Sequence, residues 1–392
     1  MKICHIANYI PGYHRGSGGA EEACLNTVKA LYEQGIENIV AAVRPNKQPQ
    51  EKEFNFYSIT ISEDIIGWKP SFFKRFFNFD IISYFSLKRI LKKVRPGVVH
   101  LHNFDLMSLS AISAAKSLKI PVVFSVYDYW IFSKDKGITF NDGWLRRKIF
   151  NHFIKKIDAF IVLSEHSRDL LLDNGIPENK IYIVHLMMKD ALKVSADNNI
   201  DRNIIFFAGW VQPRKGLYIL AQAMKEVAQK FPQAKILVAG MKEDKRYREE
   251  IDRFIISNNL QKNIEWKNRE DDTDGQFYKT SFAKASAIAV PEQWQNMSPV
   301  IVAEGLREGK VVIASRIGGI PYIIEDGVSG LLAKYDTPAD FADKIIKLLS
   351  FSNEDLSAIR DNARKRYEAL FNSADNAKKM ISVYNSLYEH KR

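Results

Sequence analysis

Two adjacent cations stand where an apolar run gives way to a helical stretch. Arg214 and Lys215 follow the strand-like residues 203–208 and precede the amphipathic residues 217–230. Because open parallel sheets bind ligands beyond the carboxyl ends of their strands, both side chains belong to a predicted ligand edge. A guanidinium binds a diphosphate as a fork, and an ammonium binds it as a point charge. The pair therefore favours diphosphate binding, although a solvated basic turn fits the same residues.

A second segment offers backbone donors to an anion. Pro299 precedes the helical residues 300–306, and the first N–H groups of a helix have no intrahelical partner. Glu304 follows one to two turns later, where its carboxylate can accept hydrogen bonds from sugar hydroxyls. A lone glutamate in a helix usually lies on the surface, but the apolar neighbours of Glu304 favour a buried role.

A glycine-rich loop, residues 16–21, follows the first predicted strand and opens a helix. Gly18 and Gly19 let a backbone approach a ligand closely, and the helix start favours an anion. A dinucleotide-binding motif fits poorly, because Glu21 occupies its third glycine position and the next strand ends without an acidic residue. A plain tight turn is the alternative.

Together these motifs resemble glycosyltransferase family 4, a family with the GT-B fold. The resemblance follows the family order over nearly the whole chain, and its second half is the most specific. It rests on Gly18-Gly19-Ala20-Glu21, Arg214-Lys215-Gly216, Pro291 with Trp294 and Glu304, Gly318-Gly319-Ile320-Pro321, and Asp326-Gly327-Val328-Ser329-Gly330-Leu331-Leu332.

The resemblance implies retaining transfer of a sugar from a nucleotide-diphosphate sugar, with the donor on the second domain and the acceptor on the first. No metal ion or other cofactor is expected, because cations and a helix start neutralise the leaving diphosphate. Arg214 and Lys215 would then be catalytic, and Glu304 would bind the nucleotide ribose. The remaining donor-binding residues would be Gly18, Gly19, Asn296, Met297, Ser298, Pro299 and Val300.

Several positions depart from the family pattern. Asn296 stands where the family has a glutamate, and Trp210 stands where it has an arginine. The family's His-Asp pair is Tyr127-Asp128 here, which makes Asp128 a catalytic candidate and His102, Tyr127 and Asp128 acceptor-side candidates. A catalytically inactive GT-B-like binding or partner subunit is therefore the alternative function.

Two histidines, His100 and His102, lie two residues apart at the end of a predicted strand and point to one face. Such a pair can bind a metal ion, but the sequence shows no third ligand. We therefore predict a polar lining of the acceptor side, and no metal site.

A basic, aromatic stretch runs from Trp68 to Arg95, with eight basic residues, eight aromatic residues and one acid, Asp80. Aromatic side chains suit a lipid interface, and cations attract anionic headgroups. This pattern predicts peripheral association with an anionic membrane, on its cytoplasmic side, to reach a lipid-linked or saccharide acceptor. Packing of the aromatics on the protein's own core is the alternative. Nucleic acid is not expected, because no recognition module is visible.

The elements that position these residues alternate along all 392 residues as short apolar runs and helices. This alternation predicts an α/β protein with two Rossmann-like, doubly wound domains facing across a cleft. We place the domains at residues 1–188 and 203–370, the linker at 189–202, and a C-terminal helix at 371–392 that crosses back to the first domain. Two cysteines exclude a disulfide framework. The net charge of +11 points to an anionic partner.

Overall fold

The computed structural model describes residues 1–14, 18–66, 74, 77–129, 144–188, 200–241, 243–268, 272 and 275–389. Its contacts divide the chain into two compact units. The first comprises Met1–Lys189 and Phe371–Arg392, and the second comprises Asp190–Leu370. Most of the predicted linker, residues 189–199, lies outside the described residues. So do residues 68–73, 75 and 76 of the basic, aromatic stretch.

The first unit is built on a seven-stranded parallel sheet of order β3-β2-β1-β4-β5-β6-β7. Parallel strands are covered on both faces, and β2 accordingly buries every residue after its first. The strands are β1 (Lys2–Ala7), β2 (Glu37–Val43), β3 (Asn55–Ile59), β4 (Val98–Asn103), β5 (Val122–Ser125), β6 (Ala159–Val162) and β7 (Ile181–Ile183).

Helices connect these strands, and their caps are encoded locally. Asp80 accepts hydrogen bonds from the backbone N–H groups of Ile82 and Ser83 and so begins α3. Ser164 caps α6 in the same way. The helices of this unit are α1 (Gly19–Glu33), α2 (Glu63–Ile66), α3 (Ile81–Val94), α4 (Ser110–Ser117), α5 (Trp144–Ile154) and α6 (Glu165–Asp173).

The second unit repeats the architecture with a six-stranded parallel sheet of order β10-β9-β8-β11-β12-β13. Its strands are β8 (Asp201–Trp210), β9 (Lys235–Met241), β10 (Ile264–Asn268), β11 (Ala285–Val290), β12 (Val311–Ser315) and β13 (Leu331–Ala333). Its helices are α7 (Leu217–Lys230), α8 (Lys245–Ser257), α9 (Gln276–Lys284), α10 (Val300–Arg307), α11 (Ile320–Ile323), α12 (Pro338–Leu349) and α13 (Asn353–Phe371).

In both sheets the strand order reverses beside the first strand, between β1 and β4 and between β8 and β11. Two neighbouring loops diverge at such a point, which is where open α/β sheets bind ligands. The prediction of two doubly wound α/β domains is confirmed. The edge strands β3 and β7 were not predicted, because β3 is partly exposed and contains polar residues and β7 is only three residues long.

The last helix, α14 (Ser373–Glu389), packs on the first unit. It buries Tyr384 completely and contacts α1 and β4. Among the described residues, no helix combines the length and the apolar character needed to cross a bilayer.

Candidate functional site

The loop after β8 lies directly against the loop after β11. Gly216 ends the short 3₁₀ turn Pro213–Lys215 with a φ of +69°, in the left-handed region. A Cβ atom at Gly216 would lie 1.8 Å from the Pro291 carbonyl oxygen. Only glycine fits there. Gly216 of the Arg214-Lys215-Gly216 motif therefore allows the two loops to lie in contact at the point where the strand order reverses.

Lys215 is oriented by an acid that the sequence did not single out. Its ammonium pairs with Glu292 Oε1, and Glu292 is 3% exposed. The Gln293 N–H also donates to the Arg214 carbonyl oxygen at 2.8 Å. A buried carboxylate thus fixes the direction of the Lys215 ammonium, which remains partly exposed.

Arg214 is exposed, and its guanidinium lies over the Trp210 ring at 4.6 Å from the centroid. Cation–π stacking of this kind holds a guanidinium in place while leaving its N–H groups available at the rim. The tryptophan at the family's arginine position therefore supports a neighbouring arginine. Arg214 and Lys215 place two cations at the carboxyl end of β8.

The segment between β11 and α10 is held by backbone bonds. The Asn296 carbonyl oxygen accepts from the Gly319 N–H at 2.7 Å, and a Cβ at Gly318 would lie 2.6 Å from that oxygen. Asn296 Oδ1 accepts from the Ser298 N–H at 3.2 Å. The Gly318-Gly319 turn thus packs directly against the segment between β11 and α10.

The candidate residues 297–300 of this segment differ in how far their side chains are exposed to solvent. Met297 is 1% exposed, so its side chain is part of the core. Ser298 is 7% exposed, and its buried Oγ has no hydrogen-bond partner among the described residues. Pro299 is the cap residue of α10 and has no side-chain acceptor, while Val300 at the first turn is 39% exposed. The first backbone N–H groups of α10 are therefore placed where they could donate to an anion.

Glu304 is half-buried on α10 and accepts a hydrogen bond from the Tyr278 hydroxyl at 3.4 Å. Tyr278 packs edge-on against Phe206, with ring centroids 5.3 Å apart, and stacks on Phe282. The carboxylate therefore lies beside a tyrosine that is fixed in place by two buried phenylalanines.

In the first unit, the glycine loop is tied to β4 by a buried glutamate. Glu21 is 5% exposed, and it accepts from the Gly18 N–H at 2.9 Å and from Asn103 Nδ2 at 3.0 Å. A Cβ at Gly19 would meet no described atom within 4 Å, so the described residues leave this position uncovered. Gly16 and Ser17 lie outside the described residues.

His102 is buried and holds Tyr127. It is 1% exposed, and its Nδ1 lies 2.8 Å from the Tyr127 hydroxyl. Tyr127 is half-buried, and Asp128 is exposed at the carboxyl end of β5. Of the three acceptor-side candidates, Asp128 is therefore the most exposed to solvent. His102 contributes to this edge of the sheet through its hydrogen bond with Tyr127.

A third histidine, absent from the sequence-based argument, lies beside the other two. His5, His100 and His102 offer ring nitrogens that all lie within 4.8 Å of one another. Each ring nitrogen of the three has a hydrogen-bond partner: His100 bonds the Tyr384 and Ser125 hydroxyls, and His5 bonds His102 and Asn38.

The side chain of Asn38 determines which atoms donate and which accept in this chain of hydrogen bonds. Its Nδ2 lies within hydrogen-bond distance of three carbonyl oxygens, so its Oδ1 faces His5 at 3.1 Å. His5 Nε2 therefore donates to Asn38, His102 Nε2 donates to His5 Nδ1, and the Tyr127 hydroxyl donates to His102 Nδ1. Binding a metal ion would break this chain.

Burial keeps the three imidazoles neutral. It lowers the pKa of His5 to about 4 and holds the pKa values of His100 and His102 well below their usual range. Neighbouring histidines lower the latter two further. The cluster is thus an uncharged part of the first unit's core.

The predicted residues form two groups. Arg214, Lys215, residues 296–300 and Glu304 lie together around the carboxyl ends of β8 and β11 in the second unit. Gly18, Gly19, His102, Tyr127 and Asp128 belong to the corresponding edge of the first unit.

Comparison with known families matches nearly the whole chain. The profile described as Glycosyltransferase Family 4 matches residues 17–187, and that described as Glycosyl transferases group 1 matches residues 188–366. An uncharacterized glycosyltransferase of Methanocaldococcus jannaschii is 30% identical over 242 residues, which are 62% of this chain and 63% of that protein.

A phosphatidyl-myo-inositol mannosyltransferase of Mycobacterium tuberculosis is 24% identical over 177 residues, 44% of this chain and 42% of the other. The chain thus matches less than two thirds of the length of either relative. The crystal structure of Anabaena HepE in complex with UDP has a TM-score of 0.76 at 15% identity and covers 98% of this chain and 100% of its own. This similarity shows that the fold is GT-B.

Proposed function

Because the chain belongs to glycosyltransferase family 4, we propose that it transfers a sugar from a nucleotide-diphosphate sugar to a lipid-linked or polysaccharide acceptor. The reaction retains the anomeric configuration and serves glycolipid or surface polysaccharide biosynthesis. The observation that carries the proposal is the cationic edge of the second unit, where Lys215 is aimed by a buried glutamate beside the open start of α10.

The chemistry at this edge is stabilisation of a leaving anion. When the bond from the anomeric carbon to the diphosphate breaks, negative charge develops on the phosphate oxygen. Lys215, Arg214 and the first N–H groups of α10 are preorganised donors for that charge, so the reaction needs no metal ion. Glu304 accepts from the ribose hydroxyls.

The relatives support the substrate classes. HepE has been crystallised with UDP and with UDP-glucose, which supports a nucleotide-diphosphate donor. The name of the mycobacterial relative specifies a phosphoinositide acceptor, which supports a lipid-linked acceptor here. In the first unit, Asp128 is the exposed polar side chain that receives the acceptor, and Tyr127 is held behind it by His102.

Transfer assays test the proposal. The full chain is incubated in EDTA with UDP-, GDP- and ADP-sugars and lipid-linked acceptors, and the anomeric configuration of the product is read by NMR. We expect one donor class to be consumed with retention. Nucleotide binding without consumption of any donor would favour the non-catalytic subunit, for which Asn296 at the family's glutamate position is the argument.

We also propose that the first unit associates with the anionic inner face of a membrane. On the exposed face of α3, Ile81 is 39% exposed and Phe85 is 64% exposed. Arg89 and Lys92 follow on the same face, because all four residues are spaced three or four positions apart. Ile65 on α2 is 64% exposed. An exposed apolar stripe that leads into cations suits insertion below anionic headgroups.

Liposome flotation tests the membrane proposal. The wild-type chain should float with vesicles that contain phosphatidylglycerol and less with neutral vesicles. Phe85→Ser should reduce recovery, and the control Ile256→Ser, at an equally exposed residue of the second unit, should not. Equal recovery with both vesicle types would contradict the proposal.

A further inference from the structure

Four cations gather at the amino edge of the second sheet, away from the loops described above. Arg202 lies near the start of β8, and Lys310 immediately precedes β12. Arg360 and Arg364 lie one turn apart on α13. A Cβ at Gly309 would lie 2.4 Å from the Arg364 Cζ, so that guanidinium lies against the residue preceding Lys310.

Strand β11 lies between β8 and β12, and Arg202 and Lys310 both contact the residues at its start. Lys310 is 4% exposed, and its ammonium donates to the carbonyl oxygens of Ala283 and Ala285 at 2.7 and 2.8 Å. The Ser286 hydroxyl donates to the Arg202 carbonyl oxygen at 2.8 Å. The backbone of Arg202 and the ammonium of Lys310 therefore flank the first residues of one strand.

Three nitrogen atoms in two of these guanidinium groups have no acceptor among the described residues. Arg202 Nε, Arg360 Nε and Arg360 Nη2 are buried, and none has a hydrogen-bond partner within the described ranges. Arg364 pairs at the surface with Asp361 at 3.2 Å. Buried N–H groups in folded proteins are almost always paired, and an unpaired cluster of them indicates a bound ion or water.

The cations also influence one another. Burial, together with Arg360 and Arg364, lowers the pKa of Lys310 to about 8. Burial, Arg364 and Arg202 lower the pKa of Arg360. Glu308 acts in the opposite direction on Lys310, but it is engaged by Arg307 at 2.8 Å. The cluster thus has more positive charge than its neighbours neutralise.

We propose that this edge of the second unit binds a phosphate-class oxyanion, held by the guanidinium groups of Arg202 and Arg360. A tetrahedral oxyanion presents several acceptor oxygens to guanidinium forks and offsets the charge that the cluster concentrates. The site is distinct from the nucleotide edge. Arg202 and Trp210 are near opposite ends of β8, eight residues or roughly 26 Å apart at about 3.3 Å per residue.

Phosphate binding to the full chain tests the site. Inorganic phosphate and chloride are compared at matched ionic strength by thermal shift and calorimetry. We expect a saturable rise in Tm with phosphate alone. Arg360→Met should weaken phosphate binding by about tenfold or more, since a charge-assisted bond is lost. Arg253→Met, at an exposed arginine of α8 outside the cluster, should leave it unchanged.

Lys215→Ala separates this site from the nucleotide edge. It should abolish stabilisation by nucleoside diphosphates and keep the phosphate response, whereas Arg360→Met should do the reverse. A phosphate response lost in Lys215→Ala but kept in Arg360→Met would overturn the proposal, as would equal effects of phosphate and chloride. Failure of the nucleotide response alone would count against the proposed function and leave this site standing.

Stability gives an independent check. Because Arg360 Nε and Nη2 have no hydrogen-bond partner in the described part of the chain, Arg360→Met should fold and keep or raise Tm in the absence of phosphate. A variant that unfolds would show that the side chain is structurally paired and would overturn the proposal. Glycerol 3-phosphate in place of phosphate identifies the source: tighter binding supports a phosphorylated metabolite, and equal binding supports the free ion.

Discussion

Removal of the Lys215 ammonium is the perturbation with the most direct consequence for donor binding. A hydrogen bond to a charged group is worth about 1.5–3 kcal/mol, and about 1.4 kcal/mol is a tenfold change in affinity. Lys215→Ala should therefore weaken binding of a nucleoside diphosphate by about 10- to 150-fold. It also leaves Glu292, which is 3% exposed, as an unpaired carboxylate beside the incoming anion.

A second substitution, at Glu292, separates the loss of the Lys215 ammonium from the effect of the unpaired carboxylate. Glu292→Gln in the Lys215→Ala background removes the unpaired charge, and the pair should show a coupling of about 0.5–3 kcal/mol. Titration calorimetry in EDTA measures both. The matched control is Lys230→Ala on α7, whose pair with Glu226 at 3.2 Å is about half exposed and should have no effect. Affinity of Lys215→Ala within about twofold of wild type would refute the reasoning.

Three further results are expected. Glu304→Ala should weaken nucleoside diphosphate binding by about tenfold, and Tyr278→Phe by far less; equal calorimetric affinities for Glu304→Ala and wild type would contradict this. Gly216→Ala should destabilise the fold by more than about 2 kcal/mol in denaturant titration, because its Cβ would meet the Pro291 carbonyl; a smaller loss would exclude the close approach. Acid should destabilise the first unit: the pKa of His5 is lowered from 6.5 to about 4, so the unfolded chain binds more protons between these values, and Tm should fall as the pH decreases through this window. His5→Gln should reduce that slope in thermal melts, and an unchanged slope would contradict it.

The positions of the second unit's candidate residues could be predicted from the sequence because the elements that carry them are local. A buried parallel strand such as β11 reads as a continuous apolar run, and its loop follows within a few residues. The Lys215 position follows from β8 in the same way. Knowing where strands end was enough to place Arg214, Lys215 and residues 296–300 at one edge.

What escaped prediction depends on contacts that are distant in sequence. Glu292 looks like an ordinary loop acid, and its burial beside Lys215 depends on a partner 77 residues away. His5 joins His102 across 97 residues. The side chain of Met297 lies in the core, which the sequence did not show, because residue type in a loop does not reveal the side chain's direction. A donor contact through the Met297 backbone stays a prediction.

The central claim is that the donor's diphosphate binds at the carboxyl edge of the second sheet. Hydrogen exchange of the full chain, with and without saturating nucleotide-diphosphate sugar in EDTA, tests it most directly. We predict slower exchange in peptides that cover residues 209–216 and 296–304. Saturable binding that leaves both segments unprotected, or that protects only other parts of the chain, would contradict the account.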